Sequence, residues 1–220
     1  MKKRILLATL FLVSMTYGVF AQDYKTTLAT TYKAFNETKD AQEKLNQSNR
    51  FGLIAKKFNT EWSAAYYAAW SKILLNYDEK DAAKKDALLD EADDLLSTAA
   101  SLSDKNNKQQ QSEIYALTAM AANARIGVDP QKRWKKYGKI FEDNLESAKK
   151  DNEANPRIYF LKGTSKFYTP KMFGGGKKNA LEYFEKADGY FAKETGDDIT
   201  MPSWGKEVNA EYIKMCKTDD

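Results

Sequence analysis

The sequence predicts an all-α fold, a stack of about four antiparallel helix hairpins closed by a C-terminal capping helix. Three observations carry this. Apolar residues recur at spacings of three and four from Tyr24 onward, with no stretch of period two. Each of the four prolines, at 130, 156, 170 and 202, falls where a helical stripe begins or ends. From Trp62 onward, segments apolar on two faces alternate with segments apolar on one. Stacked hairpins have this pattern, because each first helix is sandwiched and each second helix covers one side. About nine helices are expected, and an irregular bundle of the same helices is the alternative.

Taken in order, Tyr24, Leu28, Tyr32 and Phe35 form one stripe. A second helix follows Asp40 and carries Phe51, Ile54 and Phe58. Trp62, Tyr66, Ala69 and Ile73 mark one face of the third, and Tyr67, Trp70 and Leu74 another. After the polar break at 77–81 comes a single stripe of Leu88, Ala92, Leu95, Ala99 and Leu102. Asn106 to Gln111 reads as a loop. Ile114, Leu117 and Ala121 then oppose Tyr115, Ala119 and Ile126, and Gly127 should end that helix. Asp129-Pro130 caps and starts the next helix, with Trp134, Tyr137, Phe141, Leu145 and Ala148 facing the core.

Asn155 to Phe191 is the most informative stretch. Asn155 is a favourable N-cap, and Pro156 occupies the first helical position, where its missing N–H is harmless. Thr169-Pro170 stops the helix near Tyr168. The turn Phe173-Gly174-Gly175-Gly176 reverses the chain, with Phe173 expected to plug the space between helices. Ala180, Phe184, Ala187 and Phe191 then share a stripe. After Pro202 a last helix should present Trp204, Val208, Tyr212 and Met215.

This hairpin resembles a tetratricopeptide repeat through Tyr159, Gly163, Ala180 and Phe184-Glu185-Lys186-Ala187. It departs in one respect: Gly163 and Ala180 are 17 positions apart, where roughly 12 separate them in the family. The extra length is the TPKMFGGG turn. The aromatic anchors Tyr66, Tyr115 and Tyr159 recur at 49 and 44 residues, longer than the family's roughly 34. The resemblance implies a right-handed α-solenoid. From Asn59 to the C-terminus the chain also resembles a group of secreted bacterial helical-repeat proteins without assigned activity. The segments concerned are Glu61-Trp62, Tyr66 to Ala69, Ser112 to Tyr115, Ala124 to Ile126 with Asp129-Pro130, the NPR and FGGG segments, and Pro202 to Gly205. That resemblance implies fold and export and supplies no catalytic residue.

Residues 1–21 read as a signal peptide. Lys2, Lys3 and Arg4 precede a short apolar core, and Val19-Phe20-Ala21 fits cleavage before Gln22. The core is too short for a comfortable membrane span, so no stable span is expected after cleavage. Residues 22–220 then form one TPR-like helical domain, periplasmic or secreted. The signal carries three of the four net positive charges, so the charge balance of the remainder calls for neither nucleic acid nor an anionic membrane surface. The single cysteine, Cys216, makes no internal disulfide.

The chemical inventory is thin. There is no histidine, hence no imidazole base or imidazole metal site. No catalysis, cofactor or metal is expected. Asp93-Asp94 point about 100° apart on a helix and form no acid–base pair; Asp197-Asp198 fall in a loop. The basic and aromatic residues of Lys132 to Tyr137 read as a solvated helix face. Gly174, Gly175, Gly176 and Lys177 superficially resemble a phosphate loop, but a helix precedes them. They are expected to form a tight reversal, with anion binding at the next helix start as the weaker alternative. The leading expectation is a scaffold whose groove binds an envelope protein or peptide through Tyr67, Trp70, Tyr115, Arg125 and Lys162. The alternative is a small-ligand carrier or an accessory subunit of an envelope transport system, which requires a pocket with convergent polar groups.

Overall fold

The computed structural model describes residues 23–196 and 198–218. Residues 1–22, which include the expected signal peptide, Asp197 and residues 219–220 lie outside the described residues. Within them the chain forms nine α-helices and no strand. They are α1 (23–37), α2 (Ala41–Lys57), α3 (Trp62–Asp78), α4 (Ala82–Leu102), α5 (Lys108–Val128), α6 (Pro130–Asp151), α7 (Pro156–Tyr168), α8 (Lys177–Phe191) and α9 (Lys206–Lys217). A single 3-10 turn, Lys171–Phe173, stands between α7 and α8.

Local sequence sets most of the starts. Asp40, Asp81, Asn107, Asp129 and Asn155 each accept a hydrogen bond from a backbone N–H in the first turn of the helix that follows. This satisfies donors that a helix start leaves open. Pro130 and Pro156 sit at the first helical positions, as the sequence predicts.

Packing runs between chain neighbours and then across every second helix. α2 packs on α3, α3 on α4, α4 on α5, α5 on α6, α7 on α8, and α8 on α9. In addition α3 touches α5, and α5 touches α7. α3 is buried all round: Ala64, Ala65, Tyr66, Tyr67, Ala68 and Ala69 are each 2% exposed or less. Small side chains there let neighbours approach on several sides. α1 joins through Tyr24, whose hydroxyl lies 2.6 Å from that of Ser63. The rings of Tyr32 and Phe35 pack on Trp70 at 5.4 and 5.1 Å.

The α7–α8 hairpin closes tightly. A Cβ on Gly163 would stand 2.6 Å from the Phe184 ring, so only glycine admits this approach. The turn beyond α7 needs glycine for another reason: Gly174 and Gly176 have φ of 77° and 96°.

Several expectations shift. Phe173 is exposed rather than a plug, because the 3-10 turn projects it away from the hairpin. Trp134 leaves the α6 core stripe, which begins in earnest at Phe141. On α4 the buried stripe is Leu89, Ala92, Leu96 and Ala99, one residue on from the stripe expected at both leucine pairs. α5 starts three residues before Gln111, which is itself buried, and runs through Gly127 to Asp129, which closes α5 and caps α6. Before α9, Trp204 is buried ahead of the helix. Val208 and Met215 are exposed, and buried Asn209 anchors α9 by donating to the Phe184 carbonyl at 3.0 Å.

Candidate functional site: an aromatic cavity along the first helices

The odd-numbered helices share one lining. A cavity of about 1190 Å³ is bounded by Tyr32 and Asn36 of α1, and by Trp70, Leu74 and Tyr77 of α3. Met120, Asn123 and Ile126 come from α5, Phe160, Leu161, Thr164, Ser165 and Tyr168 from α7, and Ser203, Trp204, Glu207, Val208 and Tyr212 from α9 and its lead-in. Pro130 and Trp134 add one edge from α6. The floor is buried: Trp70, Leu161, Trp204 and Phe160 are 2%, 2%, 4% and 6% exposed. The mouth is open and apolar, with Tyr77, Val208, Trp134 and Tyr168 between 48% and 72% exposed.

Aromatic rings dominate the lining. Three of the chain's four tryptophans face it, with Tyr32, Tyr77, Phe160, Tyr168 and Tyr212. Tyr168 and Tyr212 pair through their hydroxyls at 3.0 Å. Burial is the first cause that raises the Tyr212 and Tyr32 phenols above their ordinary range, so both are neutral donors near pH 7. The polar lining consists of amides and hydroxyls, and Glu207 is its single charged residue.

Behind the floor lies a buried ionic network. Arg157, the first large side chain of α7, is fully buried. It donates to Glu113 of α5 at 3.0 Å, to Glu194 at 2.8 Å and to the Pro202 carbonyl at 2.7 Å. Tyr66 of α3 donates to the other Glu113 oxygen at 3.2 Å and accepts from Trp204 Nε1 at 2.8 Å. The network therefore fixes the Pro202–Trp204 segment that forms one cavity wall. Burial pushes the Glu113 carboxyl up to about 7, against the pull of Arg157.

The sequence-selected groove residues disperse. Trp70 lines the cavity. Tyr67 lies beneath it, fully buried, its ring 5.4 Å from Tyr32 and 6.1 Å from Trp70. Tyr115 is half-buried against the core, away from the lining. Arg125 is 8% exposed and clamps α5 to α4 through Asp90 at 2.6 Å and Asp93 at 2.7 Å. Lys162 bridges α7 to α6 through Glu142 at 3.4 Å. In the glycine turn, the amides of Gly174, Gly175 and Gly176 donate to the carbonyls of Lys171, Pro170 and Lys166. Lys177 donates to the Thr218 carbonyl at 3.4 Å.

Sequence reasoning missed Trp204, Phe160, Tyr168 and Tyr212 as members of a common site. Their aromatic character was legible; the convergence of α7 and α9 on α3 was not. Arg157 was also missed. A lone arginine two residues after an N-cap carries no local sign of burial.

Fold and site together define an all-helical class of protein with an aromatic cavity along its odd-numbered helices. The chain belongs to the family of the HusA haemophore from Porphyromonas gingivalis. The two are 34% identical, with a TM-score of 0.73, over 90% of this chain and 92% of that one. No protein-family model matches the chain, and no curated protein matches it. Among the described residues no helix is long and apolar enough to cross a membrane, and no three or more Cys, Asp or Glu side chains are grouped so as to hold a metal ion.

Proposed function

We propose that the protein is a non-catalytic carrier of haem or a closely related planar tetrapyrrole, held in the aromatic cavity. The observation that carries this is the lining itself, eight aromatic rings around about 1190 Å³. That volume exceeds the roughly 300–1,000 Å³ of pockets for drug-sized ligands and leaves room for a macrocycle. Flat rings stack on a flat apolar ligand, and the amides and hydroxyls orient it. Membership of a family that contains a haemophore supports the same ligand class.

The lining supplies no histidine, lysine or arginine. Retention thus rests on stacking and burial. Tyrosine is the principal side chain there of a type known to ligate haem iron. A ligand's carboxylates have no cation in the lining to meet and are best placed toward the open mouth.

A carrier is better supported than a peptide scaffold. Tyr67 is buried and Arg125 is committed to the α4 aspartates, so neither is offered to a protein partner. We read the helix order as a TPR-like right-handed stack of four hairpins with α9 as cap. Residues 1–21 are read as an export signal and 22–220 as one domain working outside the cytoplasm. The test is an absorbance titration of the protein with haem. Saturation at one equivalent with a shifted Soret band is expected; no saturable change would remove the proposal.

A further inference from the structure

The turn after α7 exposes two large apolar side chains side by side, Met172 at 83% and Phe173 at 70%. Tyr168, 72% exposed, stands just before them at the cavity mouth. The two on the turn, with Tyr168 at the end of α7, leave apolar area in water that burial elsewhere would stabilise.

The turn is held firmly in this shape. Phe173 donates to the Pro170 carbonyl at 2.9 Å, and Gly176 to the Lys166 carbonyl at 2.8 Å. A Cβ on Gly175 would collide with the Thr169 backbone. The apolar pair is therefore presented on a rigid, convex knob.

Its charge is one-sided. From Ala154 to Leu181 the chain carries six basic residues and no acid. Arg157 is buried and Lys162 pairs with Glu142. Lys171 and Lys178 are exposed at the turn and form no ion pair with a carboxylate among the described residues. Lys166 donates to the Gly174 carbonyl and adds a third positive charge.

We propose that this turn is a docking wedge for an anionic lipid surface, with Met172 and Phe173 entering the headgroup region and Lys166, Lys171 and Lys178 meeting anionic headgroups. A convex pair of apolar side chains gains burial most readily in a soft medium that closes around it. Flanking lysines on an acid-free stretch complement negative headgroups. Docking there brings the cavity mouth against the lipid surface, where a flat apolar ligand partitions.

The test is co-sedimentation with vesicles of phosphatidylcholine alone or mixed with phosphatidylglycerol. It uses the protein as processed by the cell, with no ligand added, so that its outcome is independent of tetrapyrrole binding. Binding is expected to the mixed vesicles at low salt and to weaken as salt rises. Met172→Ser with Phe173→Ser, and separately Lys171→Glu with Lys178→Glu, should each weaken it by about tenfold or more while thermal unfolding and the circular dichroism spectrum stay unchanged. Phe173→Trp should show a blue-shifted emission with vesicles and quenching by brominated lipid. Absence of sedimentation at low salt, or sedimentation that neither pair of substitutions alters, would overturn the proposal. Loss of a cross-linked envelope protein on the same substitutions, without vesicle binding, would also overturn it and assign the knob to a protein partner.

Discussion

The guanidinium of Arg157 lies 5.2 Å from the ring centroid of Trp204, so a fully buried cation backs directly onto a wall of the cavity. The same arginine holds the Pro202 carbonyl two residues earlier. Stability and site geometry are thereby coupled: the group that joins α5, α7 and the lead-in to α9 also sets where the Trp204 ring stands.

Arg157→Ala should therefore destabilise the protein by about 3–5 kcal/mol, because Glu113 would remain buried without its cation. Arg157→Met combined with Glu113→Gln should recover part of that loss, since both charges leave together. Urea unfolding of these two variants beside the unaltered protein measures this. Equal destabilisation by Arg157→Ala and the double variant would show that the pair is not coupled.

Glu113 gives a pH dependence of definite sign. Its folded pKa is about 7, above the ordinary 4.5, with burial as the main cause. The folded state thus holds this proton more tightly than the unfolded state. Its contribution to stability is full below about pH 4.5 and is lost as pH rises through about 7. Glu113→Gln removes the titration. Between about pH 5 and 7.5, the melting temperature of the unaltered protein should fall relative to the variant. The chain has no histidine to obscure the comparison. A relative rise over that interval would contradict the assignment.

Gly163 and Phe184 form the closest approach of α7 and α8. Gly163→Ala should cost about 1–3 kcal/mol, since its new Cβ would press on the ring. Phe184→Leu should be destabilising alone but should reduce the cost of the alanine. A double-mutant cycle by denaturant unfolding reads the coupling, and strict additivity would mean that the ring moves freely aside.

How much of this was legible in the sequence depends on whether the signal was local. Helix starts were, because Asp129-Pro130 and Asn155-Pro156 state cap and first residue within two positions. The α7–α8 hairpin was, because Gly163, Ala180 and Phe184 carry the repeat-like pattern; the contact of Gly163 with the Phe184 ring came only with the structure. The site was legible only in its helices. First helices were expected to supply a groove, and Trp70 of α3 lines the cavity. The same logic selected Arg125 by side-chain type, yet three aspartates on α4 engage it, and no local pattern couples residues so far apart in the chain. Trp134 illustrates the opposite failure. Its period fits the α6 core stripe, but the core beneath that end of the helix gives way to the cavity mouth, and the ring is left exposed.

The most direct test of the central claim is haem titration of the unaltered protein beside Ser165→Trp, followed by Soret absorbance. Ser165 lines the cavity and is half-buried, so a bulky ring there takes up ligand space without breaking the core. The account predicts saturation at one equivalent in the unaltered protein and binding weakened by about tenfold or more in the variant, with unfolding midpoints alike. Undiminished binding in Ser165→Trp would place the ligand elsewhere and contradict the account.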